Sequence, residues 1–433
     1  MVIKNGRVLD PFNHRDEVTD IRIEGGIITE IGSNLEDDSY INASGMLVAP
    51  GLIDMHVHFR DPGFTYKEDI ETGSKAAAAG GFTTVVTMAN TNPVADNEIV
   101  IEYQNAIANR SAIVNILPAG AVTKGLKGET LAEMGKMREA GIVAVTDDGV
   151  NIDNPAVFKN ALKYASFFGL PILIHAEDKR LTGSGQIGVG KRAKELGLAG
   201  IPPEAEEIII ARDIILAKPL ATRLEQGKNK MNSNAHIHIQ HLSSKGSVEL
   251  IRRAKEDGVK ISAEVCPHHF TLTEADIKGY DTNYKMAPPL RTEADRQALL
   301  AGLKDGTIEV IATDHAPHSI DDKNKEFADA PNGIIGLETS LVLSLELVHQ
   351  NILTELELIE KMSLNPARIL GLRKGTLSIG SAADITIIDP NKEWTFTKKD
   401  IVSKSENTPF IGRKLKGKVM KTIVSGDVVY EYK

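Results

Sequence analysis

The chain of 433 residues contains a single cysteine, Cys266, and a single tryptophan. One cysteine cannot form an intrachain disulfide, so we expect a reducing, cytoplasmic compartment. No apolar run approaches the roughly 18 uninterrupted residues that a membrane helix needs, and the opening "MVIKNGRVLDP" lacks the apolar segment of a signal peptide. Long basic runs are also missing and the net charge is −9. These absences argue against nucleic acid and membrane surfaces as partners.

Between about residues 51 and 365, short β-branched runs alternate with segments of helical period. Eight apolar runs are interpreted as strands: 52–58, 82–88, 112–118, 142–146, 171–175, 236–241, 259–265 and 308–314. The predicted helices between them include 66–80, 129–141, 154–169 and 243–258. Eight such units favour an α/β fold with a closed (β/α)8 TIM barrel. An open doubly wound sheet is the rival, but no Gly-rich phosphate motif follows the first strand.

The two ends of the chain have a different pattern. Residues 1–50 and 366–433 contain short alternating strands separated by glycine turns. Because chain ends often lie close in space, we predict that both ends form one small β-sandwich beside the barrel. The predicted domains are therefore 1–50 and 366–433, the two halves of the sandwich, and 51–365, a metal-dependent barrel.

Ionisable side chains stand where five of the eight predicted strands end. His56 and His58 end the first strand, and positions i and i+2 of a strand face the same way, so both imidazoles can bind one ion. The other strand ends carry Asp147 and Asp148, His175, His241, and Asp314. Imidazole and carboxylate ligands together suit zinc or a similar divalent metal. The sequence leaves open whether Asp147 or Asp148 is the ligand.

Arg60 lies two residues beyond the paired histidines, in "GLIDMHVHFRDPG". A guanidinium donates two parallel hydrogen bonds and so suits an anionic, carboxylate-bearing substrate. From the residue alone, a surface ion pair with Asp61 or Glu68 is an equally good interpretation.

Other histidines lie in sequence patterns that are weaker evidence for metal binding. His236 and His238 fall inside a predicted strand and are interpreted as packing or surface groups. His268 and His269 follow Cys266 and Pro267, which can mimic a metal site, but we favour structural or supporting roles for them.

Six motifs in order resemble those of the amidohydrolase superfamily, and within it the dihydroorotases of the long bacterial type: "DMHVHFRDPG", "MANTNP", "TDDG", "LIHAED", "HLSS" and "ATDHAPH". Each fragment alone is weak, but the combination is specific and covers nearly the whole chain. The β-rich ends are similar to the composite flanking domain of this superfamily.

The resemblance implies a metal centre with zinc, one or two ions per subunit. His56, His58 and Asp314 would hold the first ion, and His175 and His241 the second. Many relatives bridge the two ions with a carboxylated lysine; here Asp148 would take that place.

The resemblance also implies the substrate-binding residues. Arg60, Asn90 and His318 would bind the substrate, and Asn332 and Gly333 would supply backbone contacts. Ala287 stands where many relatives carry asparagine, so a side-chain contact is lost there although the backbone can still serve.

The implied reaction is that of a dihydroorotase, the reversible hydrolysis of L-dihydroorotate to N-carbamoyl-L-aspartate in de novo pyrimidine (UMP) biosynthesis. Asp314 would be the catalytic proton carrier for a metal-activated hydroxide. The implied partners are a small-molecule substrate, a second copy of the chain in a dimer, and aspartate transcarbamoylase as a candidate.

Two alternatives stay open. Other cyclic amidohydrolases, such as dihydropyrimidinase, hydantoinase or allantoinase, share the barrel and metals, but they usually use the bridging lysine and lack the arginine after the paired histidines. A non-catalytic dihydroorotase-like partner of aspartate transcarbamoylase would tend to lose metal ligands, whereas all the expected ligand types are present here.

Overall fold

The computed structural model describes residues 1–221 and 236–433. The chain begins with five strands: β1 Val2–Asp10, β2 Arg15–Glu24, β3 Ile27–Gly32, β4 Tyr40–Asn42 and β5 Leu47–Pro50. Strands β2 and β3 form a hairpin through Gly25 and Gly26, which have φ values of 58° and 80°. Two successive residues at positive φ match the twist of a tight hairpin, and glycine adopts them without steric cost.

The next strands are β6 Leu52–Val57, β7 Phe82–Thr87, β8 Asn115–Ala121, β9 Ala144–Thr146, β10 Ile172–Ile174, β11 Ile187–Gly188, β12 Gly200–Ile201, β13 Ile237–Ile239, β14 Ile261–Val265 and β15 Val310–Ile311. Strands β11 and β12 pair only with each other. The other eight form a parallel sheet in the order β15-β14-β13-β10-β9-β8-β7-β6. The backbone N–H of His58 donates to His315 O at 2.8 Å, just beyond β15. The two edges of the sheet therefore meet, and the predicted (β/α)8 barrel is confirmed.

All eight predicted barrel strands are present, although the third begins later than expected. It spans 115–121 rather than 112–118 because the preceding helix continues to Ser111 and the strand extends through Pro118, Ala119 and Gly120. None of these three residues is a typical strand former, so the β-branched pattern misplaced the strand.

The last strands are β16 Ile385–Thr395, β17 Lys414–Val424 and β18 Asp427–Glu431. Antiparallel pairing of β5 with β16 joins both ends of the chain in one eight-stranded sheet, whose path is β18-β17-β16-β5-β1-β2-β3, with β4 beside β1. Ile3, Ile21 and Ile385 belong to its buried core. The domain boundaries at 50/51 and 365/366 stay predictions, and residues 222–235 of the predicted barrel domain lie outside the described residues.

The helices are α1 Ile70–Ala79, α2 Glu98–Ser111, α3 Met134–Glu139, α4 Pro155–Phe167, α5 Lys179–Thr182, α6 Lys191–Leu196, α7 Glu204–Ala221, α8 Lys245–Glu256, α9 Pro267–Thr271, α10 Glu293–Asp305, α11 Ile320–Lys323, α12 Leu337–His349, α13 Glu355–Ile359 and α14 Asn365–Leu370. The four predicted helices correspond to α1, α3, α4 and α8, each shorter than expected. In the described parts of the chain, none of these helices has the length and hydrophobicity to cross a bilayer.

The barrel interior is apolar at mid-height. Ile53 and Met55 of β6 pack there with Val86 of β7 and Leu173 of β10 in one buried cluster. Polar side chains begin where the strands end, at the carboxyl ends that carry the active sites of such barrels.

Candidate active site

His56 and His58 lie at the carboxyl end of β6, where Asp54 fixes the backbone. The Asp54 carboxylate accepts hydrogen bonds from the backbone N–H groups of His56 at 3.0 Å and Thr313 at 3.2 Å. Asp54 therefore joins the first strand of the barrel to the segment that follows the last strand. Burial raises the pKa of Asp54 to about 6. The Nε2 atoms of His56 and His58 lie 3.4 Å and 3.0 Å from Asp314 Oδ1.

The Asp148 carboxylate, after β9, lies at the centre of four histidines. Its Oδ1 is 3.3 Å from His56 Nε2, 3.7 Å from His175 Nδ1 and 4.0 Å from His241 Nε2. Its Oδ2 is 3.4 Å from His58 Nε2. One carboxylate thus reaches both pairs of histidines, as a bridging ligand must.

Asp147 points in another direction. Its carboxylate accepts hydrogen bonds from the backbone N–H groups of Val122 at 2.8 Å and Thr123 at 3.0 Å, and from the Thr123 hydroxyl. Burial raises the pKa of Asp147 to about 6. Of the two aspartates between which the sequence did not distinguish, Asp148 is the one that faces the histidines.

His175 follows β10, and His241 lies just beyond β13. His175 Nδ1 is 2.9 Å from His241 Nε2, and His175 Nε2 is 3.2 Å from Glu177 Oε2. Burial, reinforced by the neighbouring His175, lowers the pKa of His241 to about 3. His241 is therefore neutral at pH 7 and has a lone pair available.

Asn90 supports two of these groups. Its amide oxygen lies 2.9 Å from His58 Nδ1, and its amide nitrogen donates to Asp148 Oδ2 at 3.2 Å. A proton on His58 Nδ1 leaves the lone pair of Nε2 directed at Asp314 and Asp148. Asn90 therefore orients two candidate metal donors and also lines the cavity.

This donor set fits a divalent metal ion. His56 Nε2 and Asp148 Oδ1 are buried without a well-formed hydrogen bond in the described parts of the chain. Burial opposes the charge on Asp148, yet His56 and His58 hold its pKa well below the usual value. Burial also opposes the charge on His56, yet Asp314 and Asp148 hold its pKa well above the usual value. Ligand atoms of His56, His58 and Asp314, and of His56, Asp148 and His241, lie within 4.8 Å of one another.

A cavity of about 350 Å³ opens beside these donors. Its lining includes all six residues assigned to the substrate, together with five of the six assigned to the metal: Arg60, Asn90, Ala287, His318, Asn332 and Gly333, and His58, Asp148, His175, His241 and Asp314. His56 is absent from the lining because it lies deeper and is fully buried. Residues from widely separated parts of the sequence therefore share one space.

The Arg60 guanidinium faces this cavity, and no residue that the structure describes gives it an acidic partner. Its Nε donates to Pro317 O at 3.3 Å. Within the described residues it forms no ion pair with Asp61 or Glu68, the surface alternative that the sequence left open. Burial lowers the pKa of Arg60 to about 10, so the group stays cationic at pH 7.

Lys67, which the sequence analysis missed, fixes the protonation of His318. The Lys67 ammonium can only donate and lies 3.2 Å from His318 Nδ1, whereas Asn332 O can only accept and lies 2.9 Å from Nε2. Burial and the nearby charges of Arg60 and Lys67 lower the pKa of His318 to about 2. His318 is therefore a neutral ring whose Nδ1 faces Lys67 and whose Nε2 lies 2.9 Å from Asn332 O and 3.4 Å from Arg60 Nη2.

Glu264 was also missed and lies behind His56. Its carboxylate oxygens are 2.7 Å from His56 Nδ1 and 3.0 Å from His238 Nε2. Ser262 Oγ continues the chain, 2.8 Å from His238 Nδ1 and 2.8 Å from His236 Nε2. A carboxylate at Nδ1 leaves the Nε2 lone pair of His56 for the metal. The signal in the sequence was an acidic residue inside a buried apolar strand.

Three site residues have left-handed backbone conformations. The φ values of Arg60, His241 and Asp314 are 59°, 34° and 48°. Each such residue costs on the order of 1–3 kcal/mol, and such strain is concentrated at functional sites.

We expect the Glu264→Gln variant to bind divalent metal roughly 10–100-fold more weakly than the parent. A neutral amide has one acceptor oxygen and cannot accept from both His56 and His238. Chelator titration with elemental analysis measures the effect. Glu102→Gln, which alters an exposed carboxylate on α2, is the control; equal retention in both variants would show that Glu264 does not support His56.

Comparisons with known proteins agree with this geometry. A family model described as "Dihydro-orotase-like" matches residues 45–226. The dihydroorotase of Geobacter metallireducens is 50% identical over 434 residues, covering 100% of this chain and 99% of that protein. The dihydroorotase of Caldanaerobacter subterraneus subsp. tengcongensis is also 50% identical, covering 100% and 97%.

Solved structures with the same fold include hydantoinases at lower identity. The L-hydantoinase (dihydropyrimidinase) from Arthrobacter aurescens has a TM-score of 0.87 at 26% identity and covers 99% of this chain and 96% of that chain. A D-hydantoinase has a TM-score of 0.84 at 25% identity, covering 99% and 95%. The full-length relatives at 50% identity are thus named dihydroorotase, as the motifs indicated. This chain belongs to the dihydroorotase family of cyclic amidohydrolases.

Proposed function

We propose that the chain catalyses the reversible hydrolysis of L-dihydroorotate to N-carbamoyl-L-aspartate, a step of de novo pyrimidine biosynthesis. The observation that carries this proposal is one cavity in which Arg60, which has no acidic partner among the described residues, faces a centre of histidines and aspartates. Dihydroorotate has a carboxylate for the arginine and a cyclic amide for the centre. The names of the relatives at 50% identity support the same reaction.

Zinc is the proposed metal because imidazole and carboxylate are its usual ligands in hydrolases. His56, His58 and Asp314 would hold one ion, and His175, His241 and Asp148 would supply the ligands of a second. The chemistry that such a centre would supply is polarisation of the substrate carbonyl and activation of water near neutral pH.

Asp314 is the proposed proton carrier. Burial opposes its ionisation, but His56 and His58 hold its pKa well below the usual value, so it is a carboxylate at pH 7. It accepts the proton of the attacking water as the carbon–oxygen bond forms. It then gives this proton to the ring nitrogen as the carbon–nitrogen bond breaks, so that one water is consumed and the carboxylate is regenerated.

Arg60, Asn90 and His318 orient the substrate. A guanidinium fork binds the ring carboxylate through two hydrogen bonds, which fixes the position of the amide carbonyl. Ala287 offers no side-chain hydrogen bond, so its backbone serves in place of an asparagine amide. Asn332 and Gly333 also line the cavity and would contribute backbone contacts.

A panel of cyclic amides tests this function. We expect the zinc-loaded protein to favour L-dihydroorotate over dihydrouracil, hydantoin and allantoin by on the order of 10⁴-fold in kcat/KM, because only dihydroorotate satisfies Arg60. Chelation should abolish turnover in both directions, and zinc should restore it. Preferential hydrolysis of dihydrouracil or hydantoin would favour another cyclic amidohydrolase, and inactivity with metal bound would favour a non-catalytic partner of aspartate transcarbamoylase.

The Asp314→Asn variant should retain metal and lose roughly 10²–10⁴-fold in kcat, since an amide oxygen can be a ligand but cannot carry the proton. Elemental analysis and steady-state assays measure the two quantities. Asp321→Asn, which alters an exposed aspartate of α11, should behave like the parent. Near-normal kcat in Asp314→Asn would eliminate the proton-carrier role.

Replacing Arg60 with alanine should raise KM for dihydroorotate roughly 10–100-fold, the effect of losing hydrogen bonds to a charged group. Arg60→Lys, which keeps the charge without the fork, should be intermediate. Any residual hydrolysis of dihydrouracil should not change, because that substrate has no carboxylate. An unchanged KM for dihydroorotate in Arg60→Ala would rule out this anchor.

The cytoplasmic location, the dimer and the association with aspartate transcarbamoylase stay predictions.

A further inference from the structure

A second group of metal-binding side chains lies immediately after β14, at the start of α9. Cys266, His268 and His269 are buried, with exposed fractions of 0, 2 and 4%. One potential ligand atom from each residue lies within 4.8 Å of the other two. None of the three lines the substrate cavity.

Both imidazoles of this group have a nitrogen whose hydrogen-bonding capacity is unused. His269 Nε2 lies 2.9 Å from Pro288 O, so Nε2 carries the proton and Nδ1 the lone pair. In the described residues, His269 Nδ1 and His268 Nε2 are buried without a hydrogen-bond partner. Each unpaired buried nitrogen costs about 1–3 kcal/mol. Two such atoms beside one thiol indicate a ligand that uses lone pairs.

The protonation states fit such a ligand. Burial, followed by the neighbouring ring, holds the pKa of His268 well below its usual value, and burial also lowers the pKa of His269. Both rings are therefore neutral at pH 7. Burial raises the pKa of the Cys266 thiol, so the thiol keeps its proton until a cation displaces it.

We propose that Cys266, His268 and His269 bind a zinc-type divalent ion at a site separate from the active-site centre. One thiolate and two neutral imidazoles are ligands that zinc accepts. On binding, the S–H bond of Cys266 breaks, a sulfur–metal bond forms, and the proton leaves to solvent without any change in oxidation state. His269 donates a hydrogen bond to Pro288 O. An ion bound to His269 would therefore connect the end of β14, through this imidazole, to the segment that carries Ala287 of the cavity wall.

The chain offers a direct test because Cys266 is its only thiol. Full-length protein is produced with cobalt in place of zinc, and its near-ultraviolet absorption and cobalt content are measured. A sulfur-to-cobalt charge-transfer band can arise only at Cys266, since the active-site donors are nitrogen and oxygen. We expect the parent to show this band. Cys266→Ser should lose the band and one equivalent of cobalt per chain.

Two further variants keep the result decisive. His268→Gln should also lose one equivalent of cobalt per chain and the charge-transfer band. This variant tests the site even if Cys266→Ser does not fold. His241→Ala removes an active-site donor and should keep the band while activity falls, so a failure of the proposed function is distinguishable from a failure of this site. A cobalt-loaded parent without the band would overturn the proposal and leave buried water as the occupant. Loss of the band in His241→Ala would overturn the separation of the two sites.

Discussion

Charge compensation in a buried space is the constraint on which the rest of this structure depends. Asp148 and Asp314 are removed from water at the mouth of the barrel, and a buried ion carries a penalty of several kcal/mol unless opposite charge is close. The imidazoles of His56 and His175, whose pKa values are raised, supply that compensation at 3.3–3.7 Å. A closed barrel brings such distant segments together because all its parallel strands end on the same face. The apolar interior below keeps these groups at that face.

A second principle is that histidines of the site are oriented by charged groups outside the cavity lining. Glu264 contacts one nitrogen of His56, and Lys67 contacts one nitrogen of His318. In each case the charged partner helps to determine what the other nitrogen of the ring can do. The cavity also has two chemically distinct parts. The histidines and aspartates form its deep part, and the cationic Arg60 lies nearer the rim, where it can bind an anionic group.

The sequence predicted the barrel because strand and helix periodicities are local, and it predicted most of the centre because ligands stand at strand ends. The residue types alone did not decide between Asp147 and Asp148, since the choice depends on hydrogen bonds from Val122 and Thr123, just after the neighbouring strand β8. Lys67 has no periodic signal; its role appears only when a loop 251 residues away places His318 beside it. The start of β8 was missed because small residues and a proline form much of that strand.

The sheet shared by the two ends of the chain affects how the protein is made. Strand β5 leaves the ribosome before the barrel, whereas β16, its neighbour in the sheet, is synthesised only after the barrel. At about 5–20 residues per second the interval is on the order of tens of seconds. Throughout this time the edge of β5 presents unpaired backbone groups to other nascent chains. A message truncated after the barrel codons therefore yields a polypeptide with an open edge, a client for chaperones and proteases.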